Sequence, residues 1–515
     1  MPAPVTDQIE AAESRWRAES AGDDGLAFAI DFTRGPIDSR LAFTRASTAT
    51  YTDATGVLQS APANTPRVAY DPLTLAVRGL LIEEQRTNAI RNNTMAGATL
   101  GVVPPGNQPK LPTYWSLATV GDGLTHEVTA VTTVSGVPVL RLRIYGTASV
   151  SGSVYVWYEG ASLAGLTAGN TVTLSAYLAK SGGTWSGVTG VYHSYFIDDA
   201  VPGSWVIVAG PTFQPSATLT RSSHTTTIAG QGGAVSPWTA DSPGLCIAVT
   251  GGVSVDLTLD IGAPQFEAGS HASSVILTAG ATGTRAKDLA SIPATWLDLT
   301  RPATLIAETL HTELAASAAA RRLWVISDGT NSNIAGTVRP GGADTAGFAV
   351  TAGGSAVPLG GLSAHALTAG TVDRHAVGIT PGGVYREASN GTAGGMTAPG
   401  ITIPAGLATL TFGALATNGQ HMNACFRRFA YYRRLMARDE MAGRTRFCTI
   451  TATGFRTRAG PPRCNLCTSS PRAASRTCSA TRLTKTANQP PRKRRRYSRD
   501  AAPPRAAWPC RAGRW

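Results

Sequence analysis

Apolar and polar positions alternate through the middle of this chain. Leu140, Leu142 and Ile144 alternate with Arg141, Arg143 and Tyr145, and Val172, Leu174, Ala176 and Leu178 alternate with Thr173, Ser175 and Tyr177. Val253, Val255, Leu257, Leu259 and Ile261 alternate with Ser254, Asp256, Thr258 and Asp260. A period of two sends one set to a buried face and the other to a wet one, as strands of an antiparallel sandwich require. Short Val/Thr/Leu runs broken by Gly, Asn and Pro recur about every ten residues, and long Leu/Glu/Lys stretches are nearly absent. Two hairpins are expected near the start. One turns at Asp53-Ala54-Thr55-Gly56, where glycine supplies a positive φ; the other, in PRVAYDPLTLAVRGLLI, turns at Asp71-Pro72. The expected fold class is all-β: tandem antiparallel β-sandwiches of the jelly-roll type, with a short N-terminal helix and a disordered basic tail.

A chain of 515 residues is too long for one ordinary core. Residues 1–25 read as an arm with a helix over 6–20, capped by Thr6, on which Ile9, Ala12 and Trp16 share a face. That face fits either a seam with sister chains or docking on its own domain. Residues 26–93 form a β-rich segment, 94–277 a first sandwich, 278–300 a connector and 301–445 a second β domain. The second domain has expected strands at 303–310, 322–327, 374–379 and 408–413, then FRRFAYYRRL and a short helix in MARDEMAG. No apolar run approaches the ~18 residues of a membrane span, and the first twenty residues hold no apolar signal-peptide core.

Charge changes the picture only at the C-terminus. Of 45 Lys/Arg and 32 Asp/Glu, 17 bases and one acid, Asp500, lie from Arg446 onward. The tail therefore carries +16 and the rest −3, so nucleic acid is not an expected partner of the body. Cysteines follow the same skew: Cys246 and Cys425 are in the body, and Cys448, Cys464, Cys467, Cys478 and Cys510 are in the tail. Arg492-Lys493-Arg494-Arg495-Arg496 resembles a nucleic-acid patch, and Cys464, Cys467 and Cys478 resemble part of a zinc knuckle, without a four-ligand set. An Arg/Pro/Ala/Cys/Ser-rich stretch without pattern is also what a GC-rich gene yields when read out of frame. On that reading, truncation after Gly443 leaves the thermal midpoint within a few degrees.

No catalytic constellation is expected. There is no phosphate-binding Gly-Lys-Ser/Thr loop, no G-x-S-x-G elbow and no calcium loop, and His126-Glu127 lacks the second histidine of a zinc-protease motif. Neither a metal nor a cofactor is implied. Asp256 and Asp260, four residues apart on one strand face, sit about 13 Å from each other, beyond glycosidase spacing. RGLLIEEQRTN, residues 78–88, poses the harder question, because Glu83 and Glu84 follow an apolar strand. Neighbouring strand residues diverge, so Glu83, Glu84 and Arg86 read as an ion-paired strand end. If those pairs are exposed, Glu83→Gln and Glu84→Gln cost about 0–1 kcal/mol each. Aromatics are the better lead. Trp115, Trp157, Trp185, Trp205 and Trp238, with Tyr155, Tyr158, Tyr192 and Tyr195, all fall in 94–277. Aromatic faces stack on sugar rings. Trp185 in SGGTWSG and Trp205 in PGSWVIVAG, with Tyr192 and Tyr195, are the candidate glycan-binding residues, and Trp185→Ala or Trp205→Ala is expected to weaken binding without unfolding the domain.

FTRASTATYTDATGVLQSAPANTPRVAYDP followed by RGLLIEEQRTN resembles the N-terminal segment of bacteriophage head-spike or tail-fibre proteins. IGAPQFEAGSHASSVILTAGATGTRAKDLASI resembles the same family's second hallmark, which closes a carbohydrate-binding-module-like sandwich. The hallmarks cover Phe43 to Asn88 and Ile261 to Ile292. The third region is similar to concanavalin A-like or laminin G-like sandwiches through Arg374–Val377, Asn390-Gly391, Leu410–Gly413 and Arg428–Leu435, with Ala437–Ala442 as the closing helix. The resemblance implies a non-enzymatic virion fibre or spike protein that binds host-surface polysaccharide, contacts other virion proteins and assembles as a homo-oligomer such as a trimer. The alternatives are a polysaccharide depolymerase and a structural virion decoration or adaptor protein.

Overall fold

The computed structural model describes residues 25–446, apart from 107, 120, 160–162, 167–168, 199–204, 228–237, 312–313, 315–319, 358–363, 384, 397–402, 416 and 418. The expected helix over 6–20 and the tail from 447 lie outside the described residues. The chain divides into two units, Met1–Thr449 and Ile450–Trp515, and the fold below is that of the first.

The alternating segments form the first sandwich. One sheet runs in the order Thr220–Thr227, Thr171–Gly183, Ser254–Ala268, Val137–Thr147, Leu124–Val134, Gly101–Val102. The facing sheet runs Trp205–Ala209, Val188–Asp198, Trp238–Val249, Gly152–Trp157, Ser116–Thr119, with Leu163–Leu166 also on Trp238–Val249. Leu140, Leu142, Ile144, Val172, Leu174, Ala176, Leu257, Leu259 and Ile261 all pack into its core. Val253 is the exception; it is exposed in the turn before the strand begins at Ser254.

The second sandwich is assembled from both sides of the first. One of its sheets has the order Thr392–Met396, Tyr385–Ser389, Val372–Ile379, Ala303–Leu310, Ala424–Tyr432, Val77–Ile82, Val68–Tyr70, with Leu26–Asp31 also on Ala424–Tyr432. The other has the order Ala42–Thr44, Leu289–Pro293, Thr409–Phe412, Arg321–Ser327, Ile334–Arg339, Thr345–Ala352, Ser355–Val357, with His365–Ala366 also on Thr345–Ala352. Neither 26–93 nor 278–300 is therefore a unit of its own. Leu26–Asp31, Ala42–Thr44, Val68–Tyr70, Val77–Ile82 and Leu289–Pro293 belong to the second sandwich, Ala49–Thr52 and Leu58–Ala61 form a two-stranded sheet of their own, and the first sandwich is inserted between these two segments. The two crossings pair with each other, Arg86–Asn88 against Gly283–Arg285, as a short antiparallel neck. The expected hairpins are present at Ala49–Thr52/Leu58–Ala61 and Val68–Tyr70/Val77–Ile82. The expected terminal helix runs Arg438–Thr445 and covers an outer sheet face through Met441 and Ala442 on Ile306, Ala376 and Tyr432. Among the described residues no helix is long and apolar enough to cross a membrane.

The neck explains RGLLIEEQRTN residue by residue. Gly79 has φ +117°, and a Cβ there would lie 2.5 Å from the Phe426 carbonyl oxygen, so only glycine fits. Leu80 and Ile82 are fully buried in the second core. Glu83 is buried, not exposed: its Oε2 lies 2.9 Å from Arg67 Nη2 and 3.2 Å from Arg285 Nη1, and Ser274 donates its N–H and hydroxyl to the same carboxylate, both at 2.7 Å. Burial raises the Glu83 carboxyl, but Arg285, Arg67 and the Ser274 bonds outweigh it and hold the group well below the carboxylate range. The expected small cost of Glu83→Gln is corrected accordingly; removing one partner of a buried pair costs about 3–5 kcal/mol. Asn88 Oδ1 accepts from the N–H groups of Ile90 (3.0 Å) and Phe266 (3.1 Å), and its Nδ2 donates to the Ile276 carbonyl at 3.1 Å. From the second hallmark, Asp288 accepts from Arg67 Nη2 at 2.6 Å, Arg45 Nη1 at 3.3 Å and the Glu83 N–H at 2.9 Å. Arg45, Arg67 and Arg285 are thus balanced by Glu83, Asp288 and the buried Glu267, which also acts on Arg285.

The truncation point Gly443 falls two residues short of the last buried contact of the body. Thr445 is buried; its hydroxyl accepts from Gly391 N–H at 3.1 Å and donates to the Ala442 carbonyl at 3.2 Å. A chain stopped after Gly443 should therefore be about 1 kcal/mol less stable in a denaturant titration than one stopped after Arg446. Equal midpoints would show that these bonds contribute nothing.

Candidate functional site

The carboxylates sort themselves first. Asp256 is held by Arg143 through bonds of 2.9 and 3.1 Å, and Asp260 by Arg141 through bonds of 2.6 and 2.9 Å, each a two-pronged pair across neighbouring strands. Glu83 and Glu84 diverge as expected. Glu83 turns to Arg67 and Arg285, whereas Glu84 lies 2.5 Å from Arg86 Nη2 and 3.3 Å from Arg321 Nη1. His126 is buried beside Thr119 Oγ1 at 3.2 Å, and burial lowers its pKa to about 4, so it stays neutral at physiological pH.

Sequence reading missed a polar chain inside the second sandwich. Thr337 Oγ1 lies 3.0 Å from His375 Nδ1, and His375 Nε2 lies 3.2 Å from Glu387 Oε1. This hydroxyl–imidazole–carboxylate order suits a nucleophile, but Thr337 is fully buried and Glu387 Oε1 also accepts the Phe348 N–H at 2.9 Å. A substrate has no path to the hydroxyl, and the chain satisfies buried polar groups within the core. Among the described residues no group of three or more His, Cys, Asp or Glu could hold a metal.

The aromatics divide by face. In GSVYVWYEG, Val154, Val156 and Tyr158 point into the core. Trp115 is also internal, donating its indole N–H to the Asn92 carbonyl at 2.8 Å with its ring 4.8 Å from Tyr158. Trp185 is half-buried and packs on the same core. Its truncation is therefore expected to destabilise the sandwich by about 1–3 kcal/mol, read as a lower unfolding midpoint. An unchanged midpoint would return Trp185 to the surface. Trp205 and Tyr195 stand on the strands Trp205–Ala209 and Val188–Asp198, opposite Asp198 and Val208 respectively. Their side chains, and that of Trp238, lie outside the described residues.

The opposite set of GSVYVWYEG builds an outward face. Tyr155 pairs across the sheet with Cys246, and Cys246 pairs with Tyr192 on its other side, so the three share one row. Pleating places Ser153 and Trp157 on the same face, two residues to either side of Tyr155. The Tyr155 and Trp157 rings stack, with centroids 5.0 Å apart and planes 11° from parallel. Gly244, opposite Trp157, leaves room for that indole: a Cβ there would lie 2.6 Å from the ring. Tyr155 and Tyr192 are half-buried, whereas Cys246 between them and Trp157 beside Tyr155 are buried. Burial, followed by a bond to Cys246, raises the Tyr192 phenol above its ordinary range against a bond to Ser153, so the hydroxyl stays protonated. The row thus offers two amphipathic rings whose strands stand about 10 Å apart, twice the spacing of adjacent strands, with both hydroxyls bonded to the Cys246 thiol between them. Such a surface suits flat apolar faces edged with hydroxyls. The period-two pattern of GSVYVWYEG could have separated these outward rings from the internal ones.

No family model matches the sequence, and no curated protein does. Among solved structures, domain 4 of the extracellular arabinanase AbnA from Geobacillus stearothermophilus, in complex with arabinotriose, is similar over 31% of this chain and 73% of its own, at 8% identity and a TM-score of 0.24. The CBM40 of a Ruminococcus gnavus IT-sialidase, bound to α2,3-sialyllactose, covers 28% of this chain and 83% of its own at 14% identity and a TM-score of 0.23. The CBM22-1–CBM22-2 tandem domain of Xyn10C from Paenibacillus barcinonensis covers 65% and 97% at 8% identity and a TM-score of 0.20. Overlap at these scores assigns neither a ligand nor an activity to the chain.

Proposed function

We propose that this chain is a bacteriophage virion fibre or spike protein that binds a host-surface glycan through the outward face of its inserted sandwich. The observation that carries the glycan reading is the row Tyr155–Cys246–Tyr192, with the buried Trp157 stacked beside it: two half-buried tyrosine rings with anchored hydroxyls on one sheet face. The virion setting rests on the resemblance of Phe43–Asn88 and Ile261–Ile292 to phage head-spike and tail-fibre proteins. In that setting the inserted sandwich faces the host polysaccharide, the second sandwich serves contacts with other virion proteins, and the segment carrying Ile9, Ala12 and Trp16, outside the described residues, serves assembly into a homo-oligomer such as a trimer. Trp205 and Tyr195 stand on strands Trp205–Ala209 and Val188–Asp198 of the same sheet and are kept as candidates for the same contact.

Retention of the full-length protein on immobilised host capsule or lipopolysaccharide tests the reading. Tyr155→Ala and Tyr192→Ala should each weaken binding about tenfold or more, or about 1.4 kcal/mol, with unfolding midpoints close to wild type. Undiminished binding by both folded variants would remove the face from the site. Release of reducing ends during incubation would favour the depolymerase reading instead.

A further inference from the structure

Beside the neck lies a cleft of about 370 Å³, lined by Glu84, Gln85 and Arg86, by Thr171 and Ala268–Ser270 of the inserted sandwich, and by Arg321 of the second. Its charged groups, Glu84, Arg86 and Arg321, come from two segments far apart in the chain, and they do not balance. Arg86 and Arg321 share one carboxylate: Arg86 Nη2 lies 2.5 Å from Glu84 Oε1, and Arg321 Nη1 lies 3.3 Å from Glu84 Oε2. The remaining partners are uncharged oxygens, the Ala268 carbonyl for Arg86 and the His421 carbonyl for Arg321 at 2.8 Å. His271 Nδ1 lies 3.5 Å from Arg86 Nη2; burial first, and Arg86 second, lower its pKa to about 4, so it adds no charge at neutral pH. The acids of the neck are already matched: Glu83 and Asp288 face Arg67, Arg45 and Arg285. Two largely buried guanidiniums with one carboxylate leave the cleft one negative charge short, and the Nε atoms of both arginines are buried without a hydrogen-bond partner. A buried charge in this position is stabilised by an added anion, and guanidinium groups favour planar oxyanions. Glu84, whose side chain is 30% exposed, occupies the donors that such an anion would use.

We propose that this cleft binds the carboxylate of an acidic sugar, as a second contact distinct from the aromatic face. The anion part rests on the charge imbalance and the saccharide part on the proposed glycan function. The hydroxyl of Thr171 and the amide of Gln85 line the same space and suit the ring of such a sugar. Glu84 acts as an internal competitor that the ligand displaces from Arg321, the longer of its two pairs.

Calorimetric titration of the full-length protein with galacturonate oligomers, neutral galactose oligomers of equal length, and sodium sulfate tests this. Acidic oligomers should bind more tightly than both others. Arg321→Ala should weaken their binding about tenfold or more, and Glu84→Gln should strengthen it about threefold or more by freeing the donors. Tyr155→Ala should leave the preference for acidic over neutral oligomers in place while Arg321→Ala abolishes it, which separates failure here from failure of the aromatic face. Sulfate binding as tightly as the acidic oligomers would overturn the saccharide assignment, and equal binding of acidic and neutral oligomers would overturn the anion assignment. If Arg321→Ala does not fold, Glu84→Gln decides alone: unchanged or weakened binding overturns the proposal.

Discussion

Replacing Asp288 with alanine should destabilise the protein by about 3–5 kcal/mol, with both sandwiches affected. Asp288 is fully buried, and it neutralises Arg67 and Arg45 while capping the Glu83 N–H. Its removal strands the Arg45 guanidinium, which cannot lose its charge and is closed off from water, and leaves Arg67 with Glu83 alone. It also loosens Glu83, which shares Arg67 with it. The matched control is Asp256→Ala, whose pair with Arg143 leaves the two side chains 51% and 40% exposed and should cost about 0–1 kcal/mol. Urea titrations of both variants compare a buried with an exposed loss of the same side chain. Equal midpoints would mean that the neck network does not hold the inserted sandwich to the second.

Acid should weaken the second sandwich through Glu308. This residue sits on Ala303–Leu310 with Arg427 Nε 2.6 Å from Oε1 and Arg374 Nε 2.7 Å from Oε2, and Arg428 Nη1 at 3.7 Å. Burial raises its carboxyl, but Arg374, Arg427 and Arg428 together outweigh that and bring the pKa down from 4.5 to about 2. A pKa depressed by folding stabilises the native state above the unfolded value and ceases to do so as pH falls through the folded one. The contribution, on the order of 3 kcal/mol, is therefore present above about pH 4.5 and lost towards pH 2. Other carboxylates titrate in the same window, so the useful quantity is the difference between wild type and Glu308→Gln. That gap should be widest at neutral pH and close between about pH 4.5 and 2. A gap independent of pH would show that the Glu308 charge contributes nothing.

The strands were legible in the sequence wherever one face is dry, because period two follows from the pleat alone. The turn at Asp53–Gly56 was legible for a local reason: Asp53 Oδ1 accepts from Thr55 and Val57 N–H groups, and Gly56 has φ +79°. What escaped was everything set by partners far along the chain. Strand Leu26–Asp31 pairs with Ala424–Tyr432, and Glu83 meets Ser274 and Arg285 across nearly two hundred residues. Local pattern cannot show such closures, so the insertion read as a row of domains and Glu83 as an exposed strand end. The two long hallmarks are the two sides of the neck, and their length reflects how many of their residues have partners in each other. Within the candidate site, the aromatic content of 94–277 was visible early. Which rings of GSVYVWYEG face outward was legible in its alternation, whereas placing Tyr155 beside Tyr192 needed the register, and the contact of the half-buried Trp185 with the core needed the packing.

Hydroxyl-radical footprinting of the full-length protein, with and without saturating host polysaccharide, measures the proposed contact directly at its side chains. Tyr155 and Tyr192 should oxidise more slowly in the presence of polysaccharide. Tyr145, half-exposed on the opposite sheet beneath Arg143 at 4.5 Å, should oxidise at an unchanged rate. Saturable polysaccharide binding that leaves Tyr155 and Tyr192 unprotected would contradict the assignment of the glycan site to the outward face.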